Sequence, residues 1–196
     1  MNTSTRHARK RVEIIEATWR MIVRGGFAAA TMREIAAEAS LANGSLKSYF
    51  ASKDELVQAA FQHTFDRIDE RANEATAGES GLLAIRRLCL EMLPLDAERA
   101  VEARVTIALL DRAASDRTLM AMQAEATDRW RRSMVAWLNE ARTNGQVGGS
   151  GRDGQIIELL LAITSGLRTA SVLDTGTGAP TDLAGVLDLA ISGLAA

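Results

Sequence analysis

Residues 31–56 read TMREIAAEASLANGSLKSYFASKDEL, and two helix-start signals in this stretch predict how the N-terminal part of the chain folds. Thr31-x-x-Glu34 and Ser52-x-x-Glu55 are capping-box patterns, in which a hydroxyl and a carboxylate each accept a hydrogen bond from an otherwise unpaired backbone N–H. The residues between the two boxes have room for two short helices joined by a tight turn. This order is typical of a helix-turn-helix.

Helices this short are not stable alone, so neighbouring helices must hold them in place. Upstream of the stretch, Val12, Ile15, Trp19 and Ile22 recur at helical spacing and predict one apolar helix face. Gly25-Gly26 should end that helix, because glycine readily adopts the left-handed conformation found at helix C-termini.

The second short helix, predicted over residues 43–50, has the pattern of a recognition helix. Leu46 and Phe50 are four residues apart and should pack inward. Lys47 and Ser48 should then be exposed, where polar side chains can enter the major groove of DNA.

The composition predicts a soluble, all-α protein. Only two prolines occur among 196 residues, and 47% of the residues are apolar while 24% are charged. The single Cys89 excludes an intrachain disulfide and, with no signal-peptide pattern, favours a cytoplasmic location. The longest uncharged apolar stretch near the C-terminus, residues 159–167, is too short to span a bilayer, so no membrane partner is expected.

The net charge of −2 hides an uneven distribution of charge along the chain. Residues 1–53 contain nine Lys/Arg and four Asp/Glu, a net charge of +5, and the remaining residues contain 14 and 21, a net charge of −7. A basic head on an acidic body suggests that the head binds nucleic acid. The basic run RHARKR, residues 6–11, is equally compatible with a solvated or disordered arm and with an arm that reaches the minor groove or a phosphate.

The stretch TMREIAAEASLANGSLKSYFASKDELV closely resembles the DNA-binding region of TetR-family transcriptional regulators, whose pattern is roughly T-[VM]-R-[DE]-I-A-x-x-A-G-V-S-x-G-x-[LI]-Y-x-[YH]-F-x-[SN]-K-[DE]-x-L. The matching residues are Thr31, Arg33, Glu34, Ile35, Ala36, Ala39, Gly44, Leu46, Tyr49, Phe50, Ser52, Lys53, Asp54 and Leu56. The resemblance implies a three-helix DNA-binding domain in residues 1–53. It implies a helical ligand-binding and dimerisation domain in residues 54–196, with about nine helices in total.

Three positions depart from the family pattern. Ser40 replaces the turn glycine, which should cost on the order of 1 kcal/mol if the position keeps a positive φ. Ala42 replaces a helix-capping serine, typically a loss of ~1 kcal/mol. Lys47 replaces the first tyrosine, so the operator sequence of a relative cannot be transferred to this chain.

Carried over by position, the resemblance implies a set of DNA-binding residues. Thr31, Tyr49 and Lys53 would contact the phosphate backbone, with Arg33 as a further candidate. The residues that would face base edges are Asn43, Ser45, Lys47 and Ser48. Two alternatives remain open: Arg33 can pair with a neighbouring acid on the surface, and the Tyr49 hydroxyl can simply bond to water.

The body should be helical throughout, and its last two predicted helices should form a dimer interface. A helix starting near Ser52 is expected to bury Val57, Phe61, Phe65 and Ile68. The predicted helix over residues 154–173 is apolar nearly all round and needs cover on two sides, which a twofold dimer provides. The interface residues predicted from these helices are Ile157, Leu160, Leu161, Leu167, Leu183, Leu187, Ile191 and Leu194.

The C-terminal segments RWRRSMVAWLNEARTNGQV and ITSGLRTASVL resemble BetI-type members of the family, which respond to choline. A quaternary ammonium ligand needs aromatic faces, and aromatic residues are only 4% of this chain. The candidate pocket residues are Phe61, Phe65, Cys89, Met92, Leu109, Trp130, Met134 and Trp137. The same residues fit an ordinary core, so this set remains a hypothesis.

These features predict a ligand-responsive homodimeric repressor that binds a double-stranded DNA operator and is released by a small-molecule effector of unknown identity. The alternative is a ligand-blind DNA-binding dimer, which a body without a cavity would favour. An enzyme is not expected, because neither His7 nor His63 lies near a convincing nucleophile or metal-ligand pattern. No cofactor and no metal are expected.

Overall fold

The computed structural model describes residues 3–42, 44–148, 153–173 and 180–194. Within these ranges the chain contains eight α-helices, one 3₁₀ helix and no strand, which confirms the predicted all-α fold and the expected number of about nine helices. The α-helices are α1 (Thr3–Ala29), α2 (Met32–Glu38), α3 (Lys53–Thr76), α4 (Gly81–Glu91), α5 (Ala97–Ala113), α6 (Arg117–Thr143), α7 (Asp153–Val172) and α8 (Pro180–Ser192). The 3₁₀ helix spans Ser45–Ser48, between α2 and α3.

Most of the predicted apolar face of α1 is buried. Ile15, Trp19 and Ile22 are 7%, 6% and 3% exposed, as the spacing predicted. Val12 is 40% exposed, whereas Ile14 is fully buried, so the prediction for Val12 was wrong. The reason is that the buried face of α1 is centred on the row that contains Ile14, and Val12 lies beyond its edge.

Both predicted helix starts use their capping residues. At α2 the Thr31 hydroxyl accepts from the Glu34 N–H at 3.3 Å, and the Glu34 carboxylate accepts from the Thr31 N–H at 3.3 Å. At α3 the Ser52 hydroxyl accepts from the Glu55 N–H at 3.1 Å. The Glu55 carboxylate accepts from the N–H of Ala51 at 2.7 Å, one residue earlier than the capping-box pattern predicts.

Two positions with positive φ shape the turns around α2. Gly26 has a φ of 66° and breaks α1 near its end, where the glycine pair predicted a stop. Ser40 has a φ of 55° after α2. Its N–H bonds to the Ala37 carbonyl at 3.1 Å, and the N–H of Leu41 bonds to the Ala36 carbonyl at 2.8 Å. These two bonds form a Schellman motif, which normally places glycine at this position.

We expect Ser40→Gly to stabilise the chain by about 1 kcal/mol, because glycine avoids the contact between Cβ and the carbonyl in the left-handed region. Urea unfolding followed by circular dichroism measures the change. Ser40→Ala is the matched control, since alanine keeps Cβ and should give no gain. Equal stability of the glycine and alanine variants would contradict the prediction.

The second short helix is shorter and tighter than predicted. An α-helix was expected over residues 43–50, but the structure forms a 3₁₀ helix of four residues, Ser45–Ser48. Gly44 precedes it without any side-chain capping bond. Since Ala42 replaces the capping serine of the family, this start lacks the group that normally satisfies the first N–H groups of an α-helix.

The chain forms two compact units. The first contains residues 1–65 and 104–122, and the second contains residues 66–103 and 123–196. The long helix α3 contributes to both, and its predicted apolar face is buried. A functional boundary after residue 53 remains a prediction from the sequence.

Among the described residues, one helix is long and apolar enough to cross a membrane by length and composition, namely α7. This criterion is weak, because core helices of soluble proteins also meet it. α7 contains Glu158, which bonds to Arg131 at 2.7 Å, and Arg168, which is buried. The predicted nine-residue limit concerned the uncharged stretch 159–167, whereas α7 meets this criterion with its charged residues included, so the expectation of no membrane partner stays a prediction.

Candidate nucleic-acid interface

The 3₁₀ helix presents three of the predicted DNA-contacting residues to solvent. Ser45, Lys47 and Ser48 are exposed, while Leu46 and Phe50 are fully buried. The Ser48 hydroxyl donates to the Ser45 carbonyl at 2.7 Å, so its proton is used within the turn and its oxygen can accept a hydrogen bond. The remaining predicted base-facing residue, Asn43, lies outside the described residues.

Arg11 of α1 fixes the end of this turn through three contacts. Its guanidinium carbon lies 4.1 Å from the centroid of the Phe50 ring, a cation–π contact. It also donates to the Tyr49 carbonyl and lies 3.4 Å from the Glu55 carboxylate. One side chain therefore joins α1, the first turn of α3 and residues 44–50, which are called the recognition turn after their predicted role.

The basic run RHARKR is part of α1, and its side chains lie beside Tyr49. The His7 ring stacks on the Tyr49 ring, with centroids 4.6 Å apart and 20° between the planes. A surface pocket of about 450 Å³ is lined by Arg6, Arg9, Lys10, Glu13, Leu41 and Tyr49. The hydrogen bond from Lys10 lowers the pKa of Glu13. Three cations against one carboxylate make this pocket basic, which suits a phosphate.

The other predicted phosphate contacts lie at helix starts. Thr31 is the exposed N-cap of α2, and its hydroxyl donates to Glu34 at 2.6 Å. This bond lowers the pKa of Glu34, and it would have to break before Thr31 could donate to DNA. Arg33 is exposed on α2, and Lys53 is the first residue of α3. Lys53 would add a cation near the N-terminus of α3, where an anion is favoured, and its contact with phosphate stays a prediction.

Sequence reasoning missed Arg11 and His7 as contributors to this surface. The charge run was identified, but it was treated as a separate arm. Two signals were available: His7 and Arg11 are four residues apart, which places them on one helix face, and the run continues directly into the predicted α1. Their partners Tyr49 and Phe50 could not be found by spacing, because about 40 residues separate them in the chain.

A second pocket, of about 180 Å³, lies within the unit formed by residues 66–103 and 123–196. Its lining residues are Asp69, Ala72, Asn73, Thr76, Leu88, Arg129, Trp130, Ser133 and Trp137. The Asp69 carboxylate accepts from the Trp130 indole N–H at 2.6 Å and from Arg129 at 2.8 Å. The pocket therefore contains two indole rings and one carboxylate that already has an arginine partner.

The predicted ligand residues do not all meet at this pocket. Trp130 and Trp137 line it. Cys89, Met92 and Met134 are buried in the same unit. The remaining members, Phe61, Phe65 and Leu109, are buried in the first unit. The Phe61 and Phe65 rings pack edge to face at 4.9 Å, the usual geometry of a packed core.

Two family models match the chain. Residues 14–60 match the model described as "Bacterial regulatory proteins, tetR family". Residues 83–196, more than half of the chain, match "BetI-type transcriptional repressor, C-terminal". The chain belongs to the TetR family. Both resemblances predicted from the sequence, to the TetR family and to its BetI-type members, are confirmed.

Individual relatives agree with this assignment. The chain is 29% identical over 171 residues to the HTH-type transcriptional regulator PksA of Bacillus subtilis, covering 86% of this chain and 81% of that protein. A transcriptional regulator from Rhodococcus sp. Rha1 has a TM-score of 0.84 and 25% identity, covering 94% of this chain and 95% of that one. The chain is therefore a helix-turn-helix transcriptional regulator.

A second solved structure, of a protein from Saccharomonospora viridis in complex with choline, has the same fold. Its TM-score is 0.84 with 19% identity, covering 92% of this chain and 94% of that one. At this identity the likeness concerns the fold.

In this TetR-family regulator the predicted dimer residues mostly point inward. Ile157, Leu160 and Leu187 are fully buried within the chain itself, and Leu161, Leu167, Leu183 and Ile191 are buried nearly as deeply. Fully buried side chains have no surface to offer to a second chain, so the choice of residues is revised. The large apolar side chains exposed on or beside α7 and α8 are Leu159, Leu173, Val186 and Leu189.

Proposed function

We propose that the chain is a homodimeric repressor that binds a palindromic operator with two copies of its recognition turn. The observation that supports this most is the exposure of Ser45, Lys47 and Ser48 above a fully buried Leu46 and Phe50. Side chains on such a short turn contact few base pairs, so two half-sites are needed for specific binding. The cytoplasm, where operator DNA is found, is the proposed location.

We propose that α7 and α8 pair with their copies in a second chain. Leu159 is 50% exposed on α7, and Leu189 is 73% exposed on α8, although both are large apolar residues. Closed twofold dimers are the commonest way to cover such surfaces. Light scattering after size-exclusion chromatography tests the proposal, and a monomer at micromolar concentration would contradict it.

We further propose that a small molecule bound in the body releases the operator. The helix α3 begins at the candidate phosphate contact Lys53 and carries Asp69, Ala72 and Thr76 of the body pocket. A ligand that displaces the C-terminal half of α3 therefore acts on the helix that carries Lys53. The pocket supports this over a ligand-blind dimer, provided that the ligand prefers one of two conformations.

The most informative experiment is the selection of operators from random DNA with the purified protein, because it gives both the sequence and the half-site spacing. Operator affinity is then measured with and without candidate effectors. Choline is the first probe, since a solved relative contains it and since Trp130 and Trp137 offer aromatic faces. Failure to select any DNA, or binding that does not weaken with salt, would contradict the proposal.

We expect Lys47→Ala and Lys53→Ala to affect operator binding differently. Lys47 is proposed to donate to base edges, so its removal should relax base preference, with a loss of discrimination of ~1–3 kcal/mol. Lys53 is proposed to contact phosphate, so its removal should weaken all sequences and reduce the salt slope by about 1. Fluorescence anisotropy on selected and scrambled duplexes measures both, and equal effects of the two variants would contradict this division of roles.

We propose no catalytic step for this protein. Cys89 is fully buried, and burial raises the pKa of its thiol to about 11, which keeps it protonated and unreactive at neutral pH. Within the described ranges, no group of three or more His, Cys, Asp and Glu side chains is arranged to hold a metal ion. A regulator of this family needs only binding equilibria.

A further inference from the structure

Arg168 on α7 is a buried cation, and two of its three guanidinium nitrogens have no hydrogen-bond partner among the described residues. The residue is 5% exposed, and the two nitrogens are Nε and Nη1. Burial lowers the pKa of the guanidinium to about 10, so it stays protonated at neutral pH. An unpaired buried charge is strongly unfavourable, because it loses its hydration without gaining a counter-ion.

The other deeply buried charged residue of this unit, Glu102, has two cationic partners. Glu102 is 3% exposed, and it accepts from Arg67 at 2.6 Å and from Arg71 at 2.7 Å. Two cations thus neutralise one buried carboxylate. Arg87 in this unit also has an Nε without a hydrogen-bond partner, but its Nη2 lies 2.9 Å from the Glu79 carboxylate, whereas no ion pair joins Arg168 to a described carboxylate.

Among the described residues of the neighbouring elements, no carboxylate is bonded to Arg168. α7 packs against α4 and α8, and most of the carboxylates on or beside these three helices bond to other groups. These are Glu79 with Arg87, Glu91 with Arg71 and Arg99, Glu158 with Arg131, Asp153 with Arg142, and Asp188 with Arg86. Asp182 is exposed at the start of α8.

The polar groups nearest along this face do not supply an anion either. Thr164, one turn before Arg168, is fully buried, and its hydroxyl donates to the Leu160 carbonyl at 2.7 Å. The Cys89 thiol of α4 interacts with Thr164 and remains neutral. The other buried positions of α7 are leucine and isoleucine. The inward face of α7 therefore combines one cation with apolar surface, which is the chemistry that receives an acid with a hydrocarbon tail.

We propose that Arg168 binds the carboxylate of an apolar organic acid in the helical body. The planar guanidinium presents N–H donors that match the two oxygens of a carboxylate, and the tail would open the packing of the buried leucines on α7 and lie against them. The inference rests on the proposed effector response and adds a second ligand site to it, because Arg168 is not among the residues that line the pocket at Asp69 and Trp130.

The test is thermal unfolding of the full chain with acetate, butyrate and octanoate at constant ionic strength, with ethanol, butanol and octanol as neutral controls. A ligand present at a hundred times its Kd should raise the Tm by roughly 5–10 °C. We expect this shift with octanoate and a smaller one with octanol. Equal shifts with acid and alcohol would overturn the proposal.

Arg168→Met separates binding from structure, because methionine keeps an unbranched apolar chain and removes the charge. We expect the unliganded variant to unfold at or above the wild-type Tm, since replacing a buried charge with an apolar group is often stabilising, and the octanoate shift to disappear. Arg86→Met is the matched control on α4, because Arg86 already pairs with Asp188; it should unfold at a lower Tm and keep the octanoate shift. A lower Tm for Arg168→Met, or a retained octanoate shift, would overturn the proposal.

Operator binding by the unliganded wild-type protein distinguishes this inference from the proposed function. If the protein shows the carboxylate-specific shift but binds no DNA, the acid-binding site is supported and the proposed repressor function is contradicted. If the protein binds its operator but shows no carboxylate-specific shift, the repressor function is supported and the acid-binding site is refuted.

Discussion

Phe50→Ala should destabilise the chain by roughly 3–5 kcal/mol and abolish operator binding. Phe50 is fully buried, so its removal leaves a cavity beneath the recognition turn. It also removes the ring that lies 4.1 Å from the Arg11 guanidinium, and with it the contact that joins α1 to the turn. Because a four-residue 3₁₀ helix has no stability of its own, loss of this support should release Ser45, Lys47 and Ser48 from their common surface.

Urea unfolding and fluorescence anisotropy on a selected operator measure the two effects of this substitution. Phe50→Leu is the matched control, since leucine retains most of the apolar volume and should cost less than about 1.5 kcal/mol. Lys47→Ala provides a second comparison, because Lys47 is exposed and its removal should leave stability unchanged. Operator binding by Phe50→Ala at wild-type affinity would show that the turn does not depend on this ring.

Short-range sequence patterns predicted much of the local structure of the N-terminal residues 1–53. The Thr31 capping box forms as its spacing predicted, and Ser40 keeps the positive φ that the family glycine suggested. Both features depend on backbone groups within four residues, so the sequence contains all the partners involved. The 3₁₀ form of residues 45–48 was not predicted, because the resemblance suggested a full helix. The loss of the capping serine at Ala42 was visible in the sequence, but a 3₁₀ helix in place of an α-helix could not be predicted from it.

Contacts between distant residues could not be predicted. Arg11 reaches Phe50, Tyr49 and Glu55 from α1, and no pattern in a single sequence specifies which cation of a basic run does so. The same limit explains why most of the predicted dimer-interface residues are buried within the chain. On a helix that is apolar all round, the sequence does not say which stripe faces the core, and the structure buries Ile157 and Leu160 while exposing Leu159.

Glu102→Ala should destabilise the protein by roughly 3–5 kcal/mol, because removing one partner of a buried ion pair leaves the other charges uncompensated. The Glu102 side chain is 4% exposed. It accepts from Arg67 at 2.6 Å and from Arg71 at 2.7 and 2.9 Å. Both arginines are themselves mostly buried, at 24% and 27% exposure, so water cannot fully replace the carboxylate. Urea unfolding at neutral pH measures the loss.

Glu98→Ala is the control that isolates burial as the cause. Glu98 also binds Arg67, but its side chain is 70% exposed, and exposed ion pairs contribute about 0–1 kcal/mol. Glu102→Gln should fall between the two, since it keeps the volume and one acceptor while losing the charge. If Glu98→Ala and Glu102→Ala cost the same, then depth of burial does not set the strength of this network. Arg168 is buried to a similar depth, so in that case it would need no counter-ion. The comparison of Glu98→Ala with Glu102→Ala therefore also tests a premise of the proposed acid-binding site.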